Sequence, residues 1–456
     1  MQTLIRRAAG LDVHAKIVKA CVRVWEGDDR QRQEVREFGT TTAQLLALAA
    51  WLGSFGVTHV AMESTGVYWK PIFNILEEQF TVLLCNARHI KHVPGRKTDV
   101  TDCEWIAQLL QCGLLSGSFI PPRAQRDLRD LTRHRAQLTG EATRAKNRIQ
   151  KVLEDANVKL GTVASDPLGV SGRLMLRALV AGQGDPAQLA GLARGRLRAK
   201  KSELREALHG HVTEHHRFLL GRLLRHLEFL EQEIEELTRR IEAMMASTDP
   251  APPQGGCPRD EAPAAPEAVP SLDAAAPAPV DPPPAVPAPM GFLEAVAWLD
   301  PIPGIDEVSA QALVAELGTN MGQFRTAKSL TSWARLCPGN DESAGKRKSG
   351  RTGKGDRWLR RVLVQCAWAA SRTKGSYFGA QYRQIAKRRG KKRAIVAVAH
   401  SLLIVIYQML KHHTAYDELG ADFFDKIDPI RKTRYHVRRL EELGHKVILE
   451  PQPQAA

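Results

Sequence analysis

Fourteen of the chain's 26 prolines fall between Asp249 and Met290, interleaved with alanine. Proline has no amide proton and a fixed φ, so such a stretch supports neither helix nor sheet and favours extended, solvated, disordered chain. The pattern predicts a linker over 249–290 dividing two folded parts, with a charged, poorly patterned tail over 416–456.

The 456 residues allow about three domains by length. Lys plus Arg number 65 against 50 Asp plus Glu, giving +15 and a pI near 9.6. A surplus of that size favours a polyanionic partner over a merely basic housekeeping protein. No stretch reads as long and apolar enough to span a bilayer, which argues against a membrane role. Met1–Gly10 carries Arg6 and Arg7 with no apolar core behind them, so it does not read as a signal peptide. The seven cysteines form no CxxC pair and read as reduced thiols of a cytoplasmic protein.

Residues 1–122 alternate between two periods. Ala9–His14, Ile17–Trp25, Glu34–Gly39, Thr58–Met62 and Thr81–Cys85 read as strands. Thr42–Leu52, Tyr68–Glu78 and Asp99–Leu115 read as helices, giving an α/β domain with a mixed sheet. Over 123–248 the spacing turns to 3-4. One seam runs Leu128, Leu131, Arg135, Leu138, Ala142, Ala145, Ile149 and Val152. The other runs from Leu220 through Leu223, Leu227, Leu230, Ile234, Leu237 and Ile241 to Met244. This is a coiled-coil pattern, read either as a long hairpin or as a dimer seam, with an ordinary helical bundle as the alternative. Residues 291–415 are mainly helical.

Acids punctuate the first domain. Asp12 and Glu63 close apolar strands, and Asp99 and Asp102 open a helix at i, i+3 spacing, on one face. Each has an ordinary reading by itself: a helix N-cap for Asp99, a first-turn carboxylate for Asp102, a strand-end surface residue for Glu63. Together they read as a site for a hard divalent cation, Mg2+ or Mn2+, which offsets their repulsion and stabilises attacking and leaving oxygens in phosphoryl transfer.

The words Gly-Leu-Asp-Val (10–13), Met-Glu-Ser-Thr-Gly-Val-Tyr-Trp (62–69) and Lys-Thr-Asp-Val-Thr-Asp-Cys-Glu-Trp-Ile-Ala (97–107) resemble the N-terminal domain of the DEDD transposases, the IS110 insertion-sequence family and related site-specific invertases. The resemblance implies a RuvC-like, RNase H-like fold and carries the four acids onto Asp12, Glu63, Asp99 and Asp102.

Beyond the linker, Pro301–Ile305 followed by the small-residue run Ala310–Leu317 reads either as a helix-hairpin-helix grip on a nucleic-acid backbone or as a plain turn. Gly339–Asp356 reads as a loop or hairpin holding Ser343, framed by Lys346, Arg347, Lys348, Arg351, Lys354, Arg357, Arg360 and Arg361. A second basic run, including Lys391, Lys392 and Arg393, opens an apolar helix; such cations suit phosphate contacts or a solvated helix end. Serine needs activation to act as a nucleophile, and no local base is dictated. The segment Gly-Asn-Asp-Glu-Ser-Ala-Gly-Lys (339–346) is similar to the C-terminal domain of the same family, which implies that Ser343 becomes linked to DNA. Ser349 is the fallback, and Ser371 and Ser376 match poorly. His211, His215 and His216 read as exposed helix residues.

The resemblance covers about Arg7–Leu115 and Pro301–Lys411. It implies a DNA recombinase acting on donor and target duplexes, with a guide-like RNA, as a homo-oligomer (dimer or tetramer) through the coiled coil, at the bacterial nucleoid. A Holliday-junction nuclease using the carboxylates alone and a non-catalytic coiled-coil DNA-binding protein are the competing readings.

Overall fold

A computed structural model describes residues 4–27, 30–64, 66–86, 90, 101–247, 290–338, 341–343, 346–349, 351–353, 355–427 and 429–449, with the backbone alone described at 341–343, 346–349, 425, 427, 429, 431 and 432. Contacts divide the described chain into two units, one up to Pro122 and one from Arg123 onward.

The first unit is a five-stranded sheet of β1 (Arg7–Val13), β2 (Ile17–Glu26), β3 (Arg30–Gly39), β4 (His59–Glu63) and β5 (Thr81–Cys85) in the order β3-β2-β1-β4-β5. β1 and β2, and β2 and β3, pair antiparallel, while β1–β4 and β4–β5 pair parallel. This mixed sheet is consistent with an RNase H-like fold. Ala8, Ala9, Leu11 and Val13 of β1 are all buried, because helices cover both faces of the central strand. The edge strand β3, rich in charged residues, discourages further pairing. α1 (Thr42–Ser54) and α2 (Trp69–Leu76) bury Leu45, Leu48, Leu52, Ile72 and Leu76 against Ala9, Leu11, Val60 and Met62. α3 (Asp102–Gln111) packs Trp105, Ile106 and Leu109 on the opposite face, against Ala8, Ala61 and Cys85.

The second unit is helical. α4 (Arg123–Asp155) is followed by the short helices α5 (Leu160–Val163), α6 (Val170–Val180), α7 (Pro186–Gly191) and α8 (Lys201–Ala207). α9 (Glu214–Ser247) then returns antiparallel to α4, with contacts Arg135–Thr238, Lys146–Glu231 and Asp155–His216 in order along the pair. The 3-4 seams therefore meet each other within one chain, as the hairpin alternative required. At 1.5 Å per residue α4 is about 50 Å long. Its far half, with α5–α8, forms a tip core around Ile149, Leu153, Met175, Leu176, Leu204 and Leu224.

Residues of 123–248 and of 291–415 meet in one core. Leu128, Ile241 and Met245 share one core with Met290, Phe292, Leu313, Leu359 and Leu402. The length of chain between these flanks does not prevent their packing together, because loop closure depends only weakly on length. That core is built from α10 (Phe292–Leu299), α11 (Glu307–Leu317), α12 (Ala327–Trp333), α13 (Arg357–Arg372), α14 (Tyr377–Arg389) and α15 (Lys391–His412). Contrary to the sequence expectation, α15 is long and apolar enough to cross a bilayer by composition. Ile395, Val398, Leu402, Leu403 and Ile406 instead bury it at the centre of the core. The tail is more ordered than its pattern suggested: Phe424 stacks on Tyr377 with centroids 5.1 Å apart, and α16 (Phe423–Ile427) and α17 (Pro429–Glu442) follow.

Candidate catalytic and nucleic-acid-binding sites

Gly10 sets the geometry of the acidic region. A Cβ there would lie 2.3 Å from the Cys103 carbonyl oxygen and 2.4 Å from the Ala107 nitrogen, so the α3 backbone rests directly on β1. Asp12 lies two residues on and thus on the same face of the sheet. Leu11 is in register with Met62, which sets Glu63 beside Asp12 at the same end of adjacent parallel strands. Asp102 is the first residue of α3. Asp12 and Glu63 thus leave β1 and β4 at one end of the sheet, and Asp102 opens α3, which packs on the same face. Asp12 and Glu63 are half-buried and Asp102 is exposed. Asp99 lies outside the described residues.

α3 is held there by polar contacts that periodicity cannot reveal. The Thr101 backbone N–H and hydroxyl donate to Glu104 Oε2 at 2.9 and 2.8 Å. These bonds, the backbone one first, hold the Glu104 carboxyl below its ordinary range. Thr101, not Asp99, is therefore the N-cap of this helix. Gln33 donates to Glu104 at 2.7 Å, and the buried Gln111 accepts from Arg23 at 3.0 Å, tying α3 to β2 and β3. His14 Nε2 lies 3.1 Å from Asp12 Oδ2, a partner that sequence reasoning missed.

The donor chemistry suits a hard cation: carboxylate oxygens, partly exposed, at the open end of a sheet. Among the described residues, however, no three Asp, Glu, His or Cys side chains form a group that could hold an ion. The fit thus extends to donor type and placement, without an assembled ligand set.

Ser343 ends β6 (Asp341–Ser343), which pairs antiparallel with β7 (Lys346–Ser349). Ser343 is in register with Lys346 at the tip, whereas Ser349 faces Asp341 near the base. The region is a hairpin, extended by a Pro338–Thr352 bridge. Ser371 and Ser376 serve the scaffold: Ser371 donates to the Trp368 carbonyl at 2.8 Å, and Ser376 caps α14 by accepting from Gly379 N–H at 3.1 Å.

The basic frame is not uniform. The side chains of Lys346, Arg347 and Lys348 and all of Lys354 lie outside the described residues. Arg351, Arg357 and Arg361 are exposed, as are Lys391, Lys392 and Arg393. Arg360 differs: it donates to the Gly353 carbonyl at 3.1 Å and to Thr352 Oγ1 at 2.8 Å, bracing the hairpin base. A cleft of about 530 Å³ opens there, lined by Thr352, Gly353, Gly355, Arg357 and Arg360. The Pro301–Ile305 turn packs inward. Gly304 has φ +87°, and a Cβ there would meet the Ala370 nitrogen at 2.4 Å, so the glycine serves a close approach to α13. His216 is a further correction. It is buried, its Nδ1 accepts from Thr213 N–H at 3.1 Å, and its Nε2 therefore donates to Asp155 at 2.9 Å.

Residues 9–158 match a DEDD IS110 transposase family, and residues 296–383 match the transposase IS116/IS110/IS902 family. Both describe transposases, so the chain is a DNA recombinase that acts on DNA. It belongs to the IS110 family of transposases. No curated protein is similar enough to add to these matches.

Proposed function

We propose that Asp12, Glu63, Asp99 and Asp102 hold divalent metal, Mg2+ in the first instance, and that Ser343 is the nucleophile of strand exchange. The observation that carries this reading is the emergence of Asp12 and Glu63 on one face at one end of β1 and β4, with α3 opening beside them. When bound, the ion supplies charge stabilisation to phosphate oxygens. Ser343 loses its proton as its Oγ–P bond forms; the P–O3′ bond breaks and the 3′ oxygen leaves to be protonated. A 3′ hydroxyl reverses the step and releases the serine. Arg351, Arg357 and Arg361, with the basic start of α15, supply phosphate contacts. Three cations in the first turn of a helix oppose its dipole, so local stability does not account for them.

The same reading includes a guide-like RNA and a homo-oligomer. Because the α4–α9 seam is filled within one chain, a second copy would meet other surfaces of the hairpin, such as exposed Phe218 and Phe229 of α9.

The test is to trap a covalent protein–DNA adduct on DNA carrying the element's own ends and to map the linked residue. Linkage at Ser343 is expected. Linkage at Ser349, or cleavage without any adduct, refutes the serine assignment and favours hydrolysis at the carboxylates.

A further inference from the structure

Residues 159–295 fall outside both family matches, and they include the short helices of the hairpin tip, α5–α8. From 194 to 205 the tip carries Arg194, Arg196, Arg198, Lys200, Lys201 and Arg205 against a single acid, Glu203. All six cations are exposed. Glu203 lies 3.9 Å from Lys200, and among the described residues no carboxylate pairs with the other five.

The backbone that carries them is fixed. Arg194 N–H donates to Ser171 Oγ at 2.9 Å, and Gly195 takes φ +57°, starting a 3-10 turn over Gly195–Lys200 that runs into α8. Leu197 and Leu204 pack into the tip core and set the rotation of this segment. Three residues per turn then bring Arg198 and Lys201 onto one row, and the i, i+4 spacing of α8 continues that row to Arg205. Like charges on neighbouring turns repel each other. A solubilising surface needs neither this row nor its anchoring. A polyanion laid along it removes the repulsion and releases counterions.

We propose that the hairpin tip is a second nucleic-acid docking site, which grips a phosphodiester backbone through Arg196, Arg198, Lys201 and Arg205. It stands apart from the serine hairpin. From Arg133, which touches the start of α13, to Asp155 at the tip, α4 rises about 33 Å, roughly one turn of duplex. The site reads no sequence, since arginine and lysine on a convex surface contact phosphates without reaching base edges.

The experiment uses the full chain and the variant R196Q/R198Q/K201Q/R205Q, whose folding is checked by thermal melting. Binding to random-sequence duplex DNA and to an RNA hairpin is measured across a salt series. At about 0.9 per phosphate contact, the slope of log affinity against log salt on duplex DNA should flatten by about three and a half units. A photocrosslinker placed at Ala199 should label the same probe. Flattening with DNA alone, RNA alone or both identifies the source of the backbone. An unchanged slope with both probes, or flattening without a crosslink from position 199, overturns the proposal.

Discussion

Arg133 Nη2 lies 3.0 Å from Asp356 Oδ2, although the two residues are 223 positions apart. The same guanidinium is bidentate to Glu316, at 2.7 and 2.8 Å. Asp356 in turn caps α13, accepting from Trp358 N–H at 2.7 Å, just beyond the serine hairpin. One arginine therefore joins the hairpin stalk, α11 and the start of α13. Burial pushes the Glu316 carboxyl up, against the Arg133 bonds that hold it ionised. Arg133→Ala leaves that carboxylate buried without its main partner and should destabilise the second unit by about 3–5 kcal/mol. Asp356→Asn, which keeps an oxygen for the cap, should cost about 1 kcal/mol. Denaturant melts of both variants decide this; equal small losses would show that the triad contributes little.

Gly10→Ala tests the seating of α3. The new methyl meets helix backbone, which cannot rotate away, so the overpacking should cost about 1–3 kcal/mol and shift Asp102 relative to Asp12. Strand cleavage should fall more steeply than stability. Unimpaired cleavage by a stably folded Gly10→Ala protein would show that the distance from α3 to β1 is not critical.

Metal binding should be visible without turnover. A ligand that binds only the folded state raises its stability by about 2.7 kcal/mol at one hundred times its dissociation constant. Mg2+ should raise the melting temperature of the wild-type chain and lose that effect in Asp12→Asn or Glu63→Gln. In the absence of metal, both variants should be as stable as wild type or slightly more so, because a repulsion is relieved. A Mg2+ response that survives in both variants would place the ion elsewhere.

Arg173 is bidentate to Glu231 at 2.6 and 2.7 Å, and this bond holds the Glu231 carboxyl below its ordinary 4.5. A depressed carboxyl stabilises the folded state above the unfolded value and loses that contribution as pH falls through the folded one. Glu231→Gln should therefore cost about 1 kcal/mol at neutral pH, with the difference from wild type disappearing as the medium is acidified below 4.5. A difference that persists undiminished in strong acid would mean that shape, not charge, makes the contact.

The arginines after the serine hairpin should divide by role. Neutralising Arg357 or Arg361 should flatten the salt dependence of DNA binding by about one unit each. Arg360→Gln should leave that slope nearly unchanged while lowering adduct yield, because Arg360 braces Gly353 and Thr352. Ser343→Ala should abolish the adduct with affinity intact. Equal slope changes at all three arginines would remove the distinction drawn for Arg360.

Period-2 and period-3.6 patterns act over a few residues, so the five strands, α1–α3 and the long helices were legible in the sequence to within a few positions. Asp12 and Glu63 were legible as strand-ending acids for the same reason. What those surfaces meet depends on contacts far apart in the chain. Only the tertiary structure decided that the two 3-4 seams face each other, and that Met245 and Met290 share a core across the proline-rich segment. Arg360 and Arg361 are indistinguishable by composition. The rotation of α13 turns one toward Gly353 and leaves the other exposed. The cation row at the tip was hidden likewise, because its alignment comes from where Leu197 and Leu204 find a core, and burial of those leucines is a property of the whole tip.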